Sequence, residues 1–404
     1  MTVTDELAWL DAMQRLLARS HLWRPDQLAE TVAVTMAGLG VTATVYVVDH
    51  EQRALRAMPV PDRDTPAPLP VDASVPGRVF ALVRSIPATG PGEAARWWCP
   101  IVNGTDRMGA MDFLLPGGVD PQSKGLRERC EMLAGLVGHL ITTCAPRGDY
   151  LHQVRRSQPM SPASELMWEL LQPLTASRDE LTLSAILEPC YDIGGDAYDY
   201  AIDGTLARMT ILDGVGKGLR AGLGTAVALA AIRAARRAGK DLYGQARAAD
   251  TALLAEFPDA RFVTAFLSEL HLDTGMLVYL NAGHPPPLLL RHGATASELT
   301  GGGRMPLGLD DPRNEISRRR LQRGDRLLLY SDGITEARDG AGRQFGRDRL
   351  VEIVEHHTAA GLPAPETLRR ISHAVVEHQN GPPDDDATLL LAEWSPPAAR
   401  RTVP

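Results

Sequence analysis

The stretch Asp192–Gly218 reads D-I-G-G-D-A-Y-D-Y-A-I-D-G-T-L-A-R-M-T-I-L-D-G-V-G-K-G. Asp203-Gly204 is a two-residue turn signal between two strand-like runs, so a β-hairpin is expected here. With 203 and 204 as the loop, Asp196 faces Ile211 and Asp213 faces Gly194. Asp196 and Asp213 then share one face as diagonal neighbours, about 7–8 Å apart at the backbone. That spacing suits carboxylates reaching toward shared divalent ions, which sit about 3.5–4 Å apart in two-metal sites. Gly194, Gly195 and Gly214 let backbone approach a ligand closely. Register decides the matter: a one-residue error in the loop would put the two carboxylates on opposite faces.

Two further acidic positions extend the pattern. Asp332 follows the apolar run R-L-L-L-Y in S-D-G, and Asp385 precedes T-L-L-L-A-E-W in D-D-D-A-T. Asp213 likewise ends a strand-like run, so three of the carboxylates sit at strand ends. Carboxylates from several strands, without His-Cys clustering, favour hard ions such as Mg²⁺ or Mn²⁺. An ion pair of that kind activates a bridging water and clamps a phosphoryl group. Asp203-Gly204 serves only as a turn, Asp192 and Asp199 flank the site or lie at the surface, and His284 in N-A-G-H-P-P-P reads as a loop hydrogen-bonder. G-V-G-K-G at 214–218 fails the phosphate-loop pattern: Ile211 stands where a glycine is needed and Gly218 where Ser or Thr is needed.

Composition narrows the classes. The chain has 404 residues, 44% of them hydrophobic, and a net charge of −8. This length implies two or three domains, and the acidic balance argues against a nucleic-acid partner. Cys99, Cys130, Cys144 and Cys190 lack zinc spacing and read as reduced thiols, which predicts a cytoplasmic protein. The N-terminal segment lacks signal-peptide character. No run reaches the ~18 apolar residues of a membrane span, and Ala221–Ile232 reads as a buried helix.

Along the chain, residues 5–40 are predicted helical, 42–48 and 54–58 strands, 59–76 a Pro-rich loop, 74–83 a short helix, 97–102 and 108–115 a hairpin, and 126–143 an apolar helix. With V-P-G-R-V-F-A-L-V-R-S-I-P-A (75–88) and W-C-P-I-V-N-G-T-D-R-M-G-A-M-D-F (98–113), this order resembles a GAF domain over residues 1–145. The resemblance implies a sensor for an unidentified small ligand, or a dimerising module. Trp97 and Trp98 are candidate pocket residues but read first as core aromatics. Residues 146–175 are expected to be a helical linker, 176–395 the second domain and 396–404 a disordered tail. Beyond Leu181, strands in pairs with helices between them predict sheets covered by helices, giving an α/β two-domain (α+β) chain.

The ordered set E-P-C-Y-D-I-G-G-D-A-Y-D-Y (188–200), L-D-G-V-G-K-G (212–218), F-V-T-A-F-L-S-E-L-H-L-D-T-G (262–275), N-A-G-H-P-P-P-L-L-L (281–290), M-P-L-G-L (305–309), L-Y-S-D-G-I-T-E-A (329–337), F-G-R-D-R-L (345–350) and D-D-A-T-L-L-L (385–391) resembles the SpoIIE/RsbU-like branch of the PPM-type, metal-dependent serine/threonine protein phosphatases. The resemblance implies an α-β-β-α sandwich with two Mn²⁺ or Mg²⁺ ions at one edge. It implies that Asp213 bridges both ions, the Gly214 carbonyl binds one, Asp196 serves the second through water, and Asp332 and Asp385 hold the first, with Asp384 or Asp386 as the fallback for Asp385. These four aspartates are the predicted catalytic set. Ala197 stands where the family often has a bulky residue. The implied substrate is phosphoserine or phosphothreonine on a regulatory protein of the anti-sigma factor antagonist type, with control through the N-terminal domain and a homodimer as the expected assembly. Two other classes fit the acidic pattern less well: a two-metal phosphodiesterase or nuclease, and a catalytically silent scaffold or ligand-binding signalling protein.

Overall fold

A computed structural model describes residues 6–88, 94–120, 123–192, 194–257, 261–291, 296–381 and 385–404. The chain divides into two compact units, Met1–Gln158 with Arg401–Pro404, and Pro159–Arg400.

The first unit contains α1 (Glu6–Ser20), α2 (Leu28–Ala37), β1 (Thr42–Val48), β2 (Ala54–Ala57), β3 (Leu69–Pro70), α3 (Val75–Leu82), β4 (Ile86–Ala88), β5 (Arg96–Asn103), β6 (Asp106–Leu114), α4 (Lys124–Cys144) and α5 (Tyr150–Arg155). Its six strands form one sheet in the order β3-β2-β1-β6-β5-β4. Alternation along β1 and β5 fixes which residues meet which layer. Val45, Val47, Trp97, Cys99 and Ile101 join the core under α1, α2 and α4. Tyr46, Val48 and Trp98 join Phe80 of α3 in a smaller core on the opposite face. Trp97 and Trp98 are therefore core aromatics of opposite faces, and Trp98 packs against Tyr46 with ring centroids 5.4 Å apart.

The second unit contains α6 (Pro162–Leu170), β7 (Thr175–Arg178), β8 (Leu181–Glu188), β9 (Asp196–Asp203), β10 (Leu206–Gly214), α7 (Gly218–Arg237), α8 (Leu242–Glu256), β11 (Val263–His271), β12 (Met276–Ala282), β13 (Leu288–Leu290), β14 (Ser297–Glu298), β15 (Gly303–Arg304), β16 (Ser317–Arg320), β17 (Arg326–Tyr330), α9 (Asp332–Glu336), α10 (Arg347–Ala359), α11 (Ala364–Gln379), β18 (Ala387–Trp394) and α12 (Pro396–Arg400). One sheet runs β15-β12-β11-β10-β9 with β16 beside β12, and the other runs β14-β13-β17-β18-β8-β7. Tyr198, Met209, Ile211, Phe266, Leu329 and Leu390 fill the space between the sheets. Leu212, Ala265 and Leu280 turn outward beneath Ala228, Ile232 and Leu253 of α7 and α8. Leu328, Leu389 and Leu391 turn outward beneath α10 and α11. The predicted α-β-β-α layering is thus present, with strand parity sorting each apolar side chain into its layer.

Three boundaries differ from the sequence reading. The expected linker at 146–175 is divided between the units. Arg155 of α5 donates to the Val48 carbonyl at 2.9 Å in the first unit, while Met167 of α6 is buried under α7 in the second. Within that expected linker Pro162 starts α6, where the Ser161 hydroxyl accepts from the Ser164 N–H at 3.2 Å; proline is tolerated at a first helical position because its missing N–H has no partner there. The tail expected to be disordered contains α12, with Ala398 buried. By length and composition α7 alone among the described helices passes as a membrane span. Its packing on the sheet marks it as a core helix.

Candidate metal centre

The hairpin turn lies one position later than expected. Asp203 pairs with Leu206, so Gly204-Thr205 is the loop and Asp196 pairs directly with Asp213. Loop length is unchanged, so the pairing moves by two positions and the shared face survives. The carboxylates are therefore direct neighbours rather than diagonal ones. Parity places them: Tyr198, Met209 and Ile211 point between the sheets, and one step of two along each strand gives Asp196 and Asp213. The pair stands where the sandwich interior reaches its edge.

The second sheet supplies the facing groups. Asp332 opens α9 just beyond β17, and Asp385 lies just before β18. These strands are antiparallel neighbours, so the end of one meets the start of the other. The join is tight: the Ser331 N–H donates to the Thr388 carbonyl at 3.0 Å, and the Thr388 N–H donates to Ser331 Oγ at 2.9 Å. A side chain at Gly333 would collide with the Asp386 carbonyl, so S-D-G needs its glycine for this close passage.

Asp386, the expected fallback for Asp385, is engaged elsewhere. Its buried carboxylate accepts from the backbone N–H groups of Gly194 at 2.7 Å, Gly195 at 2.5 Å and Asp196 at 3.1 Å. It thereby fastens the start of β9, in one sheet, to the start of β18, in the other. Asp385 is exposed and uses its carboxylate to accept from the Asp386 N–H at 3.1 Å. Asp384 lies outside the described residues.

Burial grades the set. Asp196 is 1% exposed, Asp213 is half-buried, and Asp332 and Asp385 reach the surface. Burial pushes the Asp196 carboxyl far above the usual carboxylate range, with the charges of Asp213 and Asp386 adding to it. Burial, then the charges of Asp332, Asp385 and Asp386, raise Asp213 to about 7. Asp332 is raised by burial, Glu336 and Asp385. Asp196 Oδ2 and Thr388 Oγ1 are buried without a hydrogen-bond partner.

This donor set fits divalent cations. It is all oxygen, as hard ions require. Its negative charges crowd one another in a partly desolvated place, and a cation there reverses the strain. Its innermost oxygen has no proton donor. Among the described residues no three acidic, histidine or cysteine side chains already converge on one point. The structure brings the four carboxylates into one neighbourhood, and drawing them onto a common ion requires side-chain adjustment.

Other predicted positions resolve differently. Asp199 is neither at the surface nor beside the pair. It faces the opposite side of β9, fully buried, where it bridges Arg233 at 2.7 Å and Arg236 at 2.6 Å and ties α7 to the sheet. Asp192 borders a cavity of about 330 Å³ together with Gly194, Lys217, Asp385 and Asp386. His284 is a loop hydrogen-bonder: Nδ1 lies 2.9 Å from Thr264 Oγ1, and its backbone N–H donates to Asn281 Oδ1 at 2.8 Å. The roles of Ser331, Thr388 and Asp386 were missed, although their parity with the apolar residues of β17 and β18 was readable in the sequence.

The profile of the family described as Stage II sporulation protein E (SpoIIE) matches residues 203–395, a span containing Asp213, Asp332 and Asp385. Residues 203–395 are thus similar to the SpoIIE family. The profile and the match to a phosphoserine phosphatase support a phosphoprotein phosphatase domain. Phosphoserine phosphatase RsbU of Bacillus subtilis is 25% identical over 231 residues, which are 57% of this chain and 68% of RsbU. Protein IcfG of a Synechocystis species is 29% identical over 135 residues, 33% of this chain and 21% of IcfG. A solved structure of the RsbU and RsbW domains of a Mycobacterium tuberculosis protein is 24% identical, with a TM-score of 0.47, and covers 54% of this chain and 62% of its own. The SpoIIE assignment rests on the profile and on the RsbU sequence match.

Proposed function

We propose that this chain is a sensor-regulated, Mn²⁺- or Mg²⁺-dependent phosphatase acting on phosphoserine or phosphothreonine of a regulatory protein of the anti-sigma factor antagonist type. One observation carries the chemistry: Asp196, Asp213, Asp332 and Asp385 approach from strand ends of both sheets, around a buried carboxylate oxygen without a donor. In this reading Asp213 with the Gly214 carbonyl, Asp332 and Asp385 would hold the ions directly, and Asp196 would support them less directly. Two bound ions supply a nucleophilic water at neutral pH and neutralise charge on the phosphoryl oxygens.

The chain's own residues do the positioning. Asp386 holds the Gly194–Asp196 backbone, and with it the direction of the Asp196 carboxylate. The exposed Asp332 and Asp385 leave the outer side open to a protein-borne phosphate. Residues 1–145, a GAF-like sheet, are proposed to sense a small ligand and to pair two chains.

The test uses the full chain with phosphorylated antagonist proteins from the same organism. Phosphate release that requires Mn²⁺ and stops with EDTA is expected. Absence of metal-dependent release from every phosphoprotein and from p-nitrophenyl phosphate overturns the proposal.

A further inference from the structure

Asp192, Asp385, Asp386 and Lys217 border the cavity beside the carboxylate set, and Lys217 carries the one positive charge among its described lining residues. A phosphate monoester entering there is itself anionic. Four ligand carboxylates balance two divalent ions, so Asp192 and Asp386 leave the surroundings negative unless another cation is near. We propose that Lys217 binds the phosphoryl group of the substrate, acting as the specificity cation of this active site. The inference rests on the phosphatase reading above.

The loop that carries Lys217 is built to present it. Gly216 and Gly218 take φ of +98° and +67°, in the left-handed region, on either side of the lysine. Lys217 itself is extended, at φ −130° and ψ 160°. The loop is fixed before the lysine, where the Val215 N–H donates to the Phe262 carbonyl at 3.2 Å. It is fixed after the lysine by the start of α7. Apart from its own stretch of chain, no atom lies within 4 Å of where a Cβ on Gly218 would stand, so this glycine serves the backbone path and not a close contact. The G-V-G-K-G motif that fails as a nucleotide loop thus acquires a different task. An ammonium on a flexible stem recognises phosphate as a point charge and tolerates differing protein surfaces around it. The competing role for Lys217 is a structural ion pair with Asp192 or Asp385, which would tune metal binding instead.

Isothermal titration of the Mn²⁺-loaded full chain with inorganic phosphate separates the two roles and does not depend on turnover. Lys217→Gln is expected to weaken phosphate binding about tenfold to 100-fold, the loss of one charge-assisted contact. KM for p-nitrophenyl phosphate should rise in parallel, with a smaller change in kcat. Lys217→Arg should recover most of the phosphate affinity, and Mn²⁺ affinity should change less than about threefold. Arg220→Gln, on the first turn of α7 but outside the cavity lining, should leave phosphate affinity unchanged. Unchanged phosphate affinity in Lys217→Gln, an equal loss in Arg220→Gln, or an effect confined to Mn²⁺ affinity each overturns the proposal. If the wild type binds Mn²⁺ and phosphate but hydrolyses nothing, the phosphatase reading fails while the lysine assignment stands.

Discussion

Asp196 and Asp213 stand directly opposite each other across the β9–β10 ladder. Like charges in this relationship destabilise a sheet, by up to about 1 kcal/mol per pair. The raised Asp196 and Asp213 carboxyls show the strain of this arrangement, which a proton or, as proposed, a bound cation relieves.

Asp196→Asn removes that pairwise repulsion while preserving shape. In EDTA the variant should melt about 2–4 °C above wild type, the equivalent of about 1 kcal/mol for a domain of this size. In saturating Mn²⁺ the order should reverse, because wild type gains about 2.7 kcal/mol at a hundredfold excess of metal over Kd and the variant gains less. Calorimetry with and without metal reads both halves.

Asp385 and Asp386 are neighbours in sequence with opposite expected phenotypes. Asp385→Asn, at an exposed position, should change stability by less than about 0.5 kcal/mol yet lower Mn²⁺-dependent turnover by about 100-fold or more. Asp386→Ala strands the buried N–H groups of Gly194, Gly195 and Asp196. It should cost about 3 kcal/mol in urea unfolding. Equal stability losses in the two variants would contradict the division of labour.

Asp199 on the far face of β9 gives a control. Asp199→Ala leaves Arg233 and Arg236 without their shared carboxylate, and breaking such a buried pair costs about 3–5 kcal/mol. Mn²⁺ affinity of the folded fraction should stay within about twofold of wild type, since Asp199 points away from the metal side. A large change in affinity would place it in the site after all.

His284 sets a pH dependence. Burial lowers its pKa from 6.5 to about 3, so the folded state holds it neutral while the unfolded chain protonates it. Its contribution is fully present above pH 6.5 and is lost as pH falls toward 3. Between pH 6.5 and 5 wild type should lose about 2 kcal/mol more than His284→Gln. Parallel stability curves for the two proteins would remove His284 as the source.

Much of this was legible beforehand because strand parity is a strict rule. The apolar alternation through Tyr198, Met209 and Ile211 assigned the carboxylates to one face even though the turn was misplaced by one residue. Apolar runs ending at Asp213 and Asp332, or beginning after Asp385, marked the strand ends that gather them. Contacts distant in sequence were not legible. Strand parity separates Asp386 from Asp385, but nothing local shows that Asp386 binds backbone nearly two hundred positions away. Asp199 looked peripheral because its partners, Arg233 and Arg236, lie on a helix whose facing is set only by packing. The division of residues 146–175 between two units likewise depends on tertiary burial of Leu151 and Met167.

Asp386 reaches from the start of β18 to the start of β9, across the seam between the two sheets. Asp196 and Asp213 come from one side of that seam, Asp332 and Asp385 from the other. Anything that lets the sheets slide or part by an ångström separates the two halves of the cluster before either half is damaged. In the proposed metal centre, occupancy would gauge how well the sandwich is closed, and a signal that loosens the seam would silence the proposed chemistry without touching one of these carboxylates.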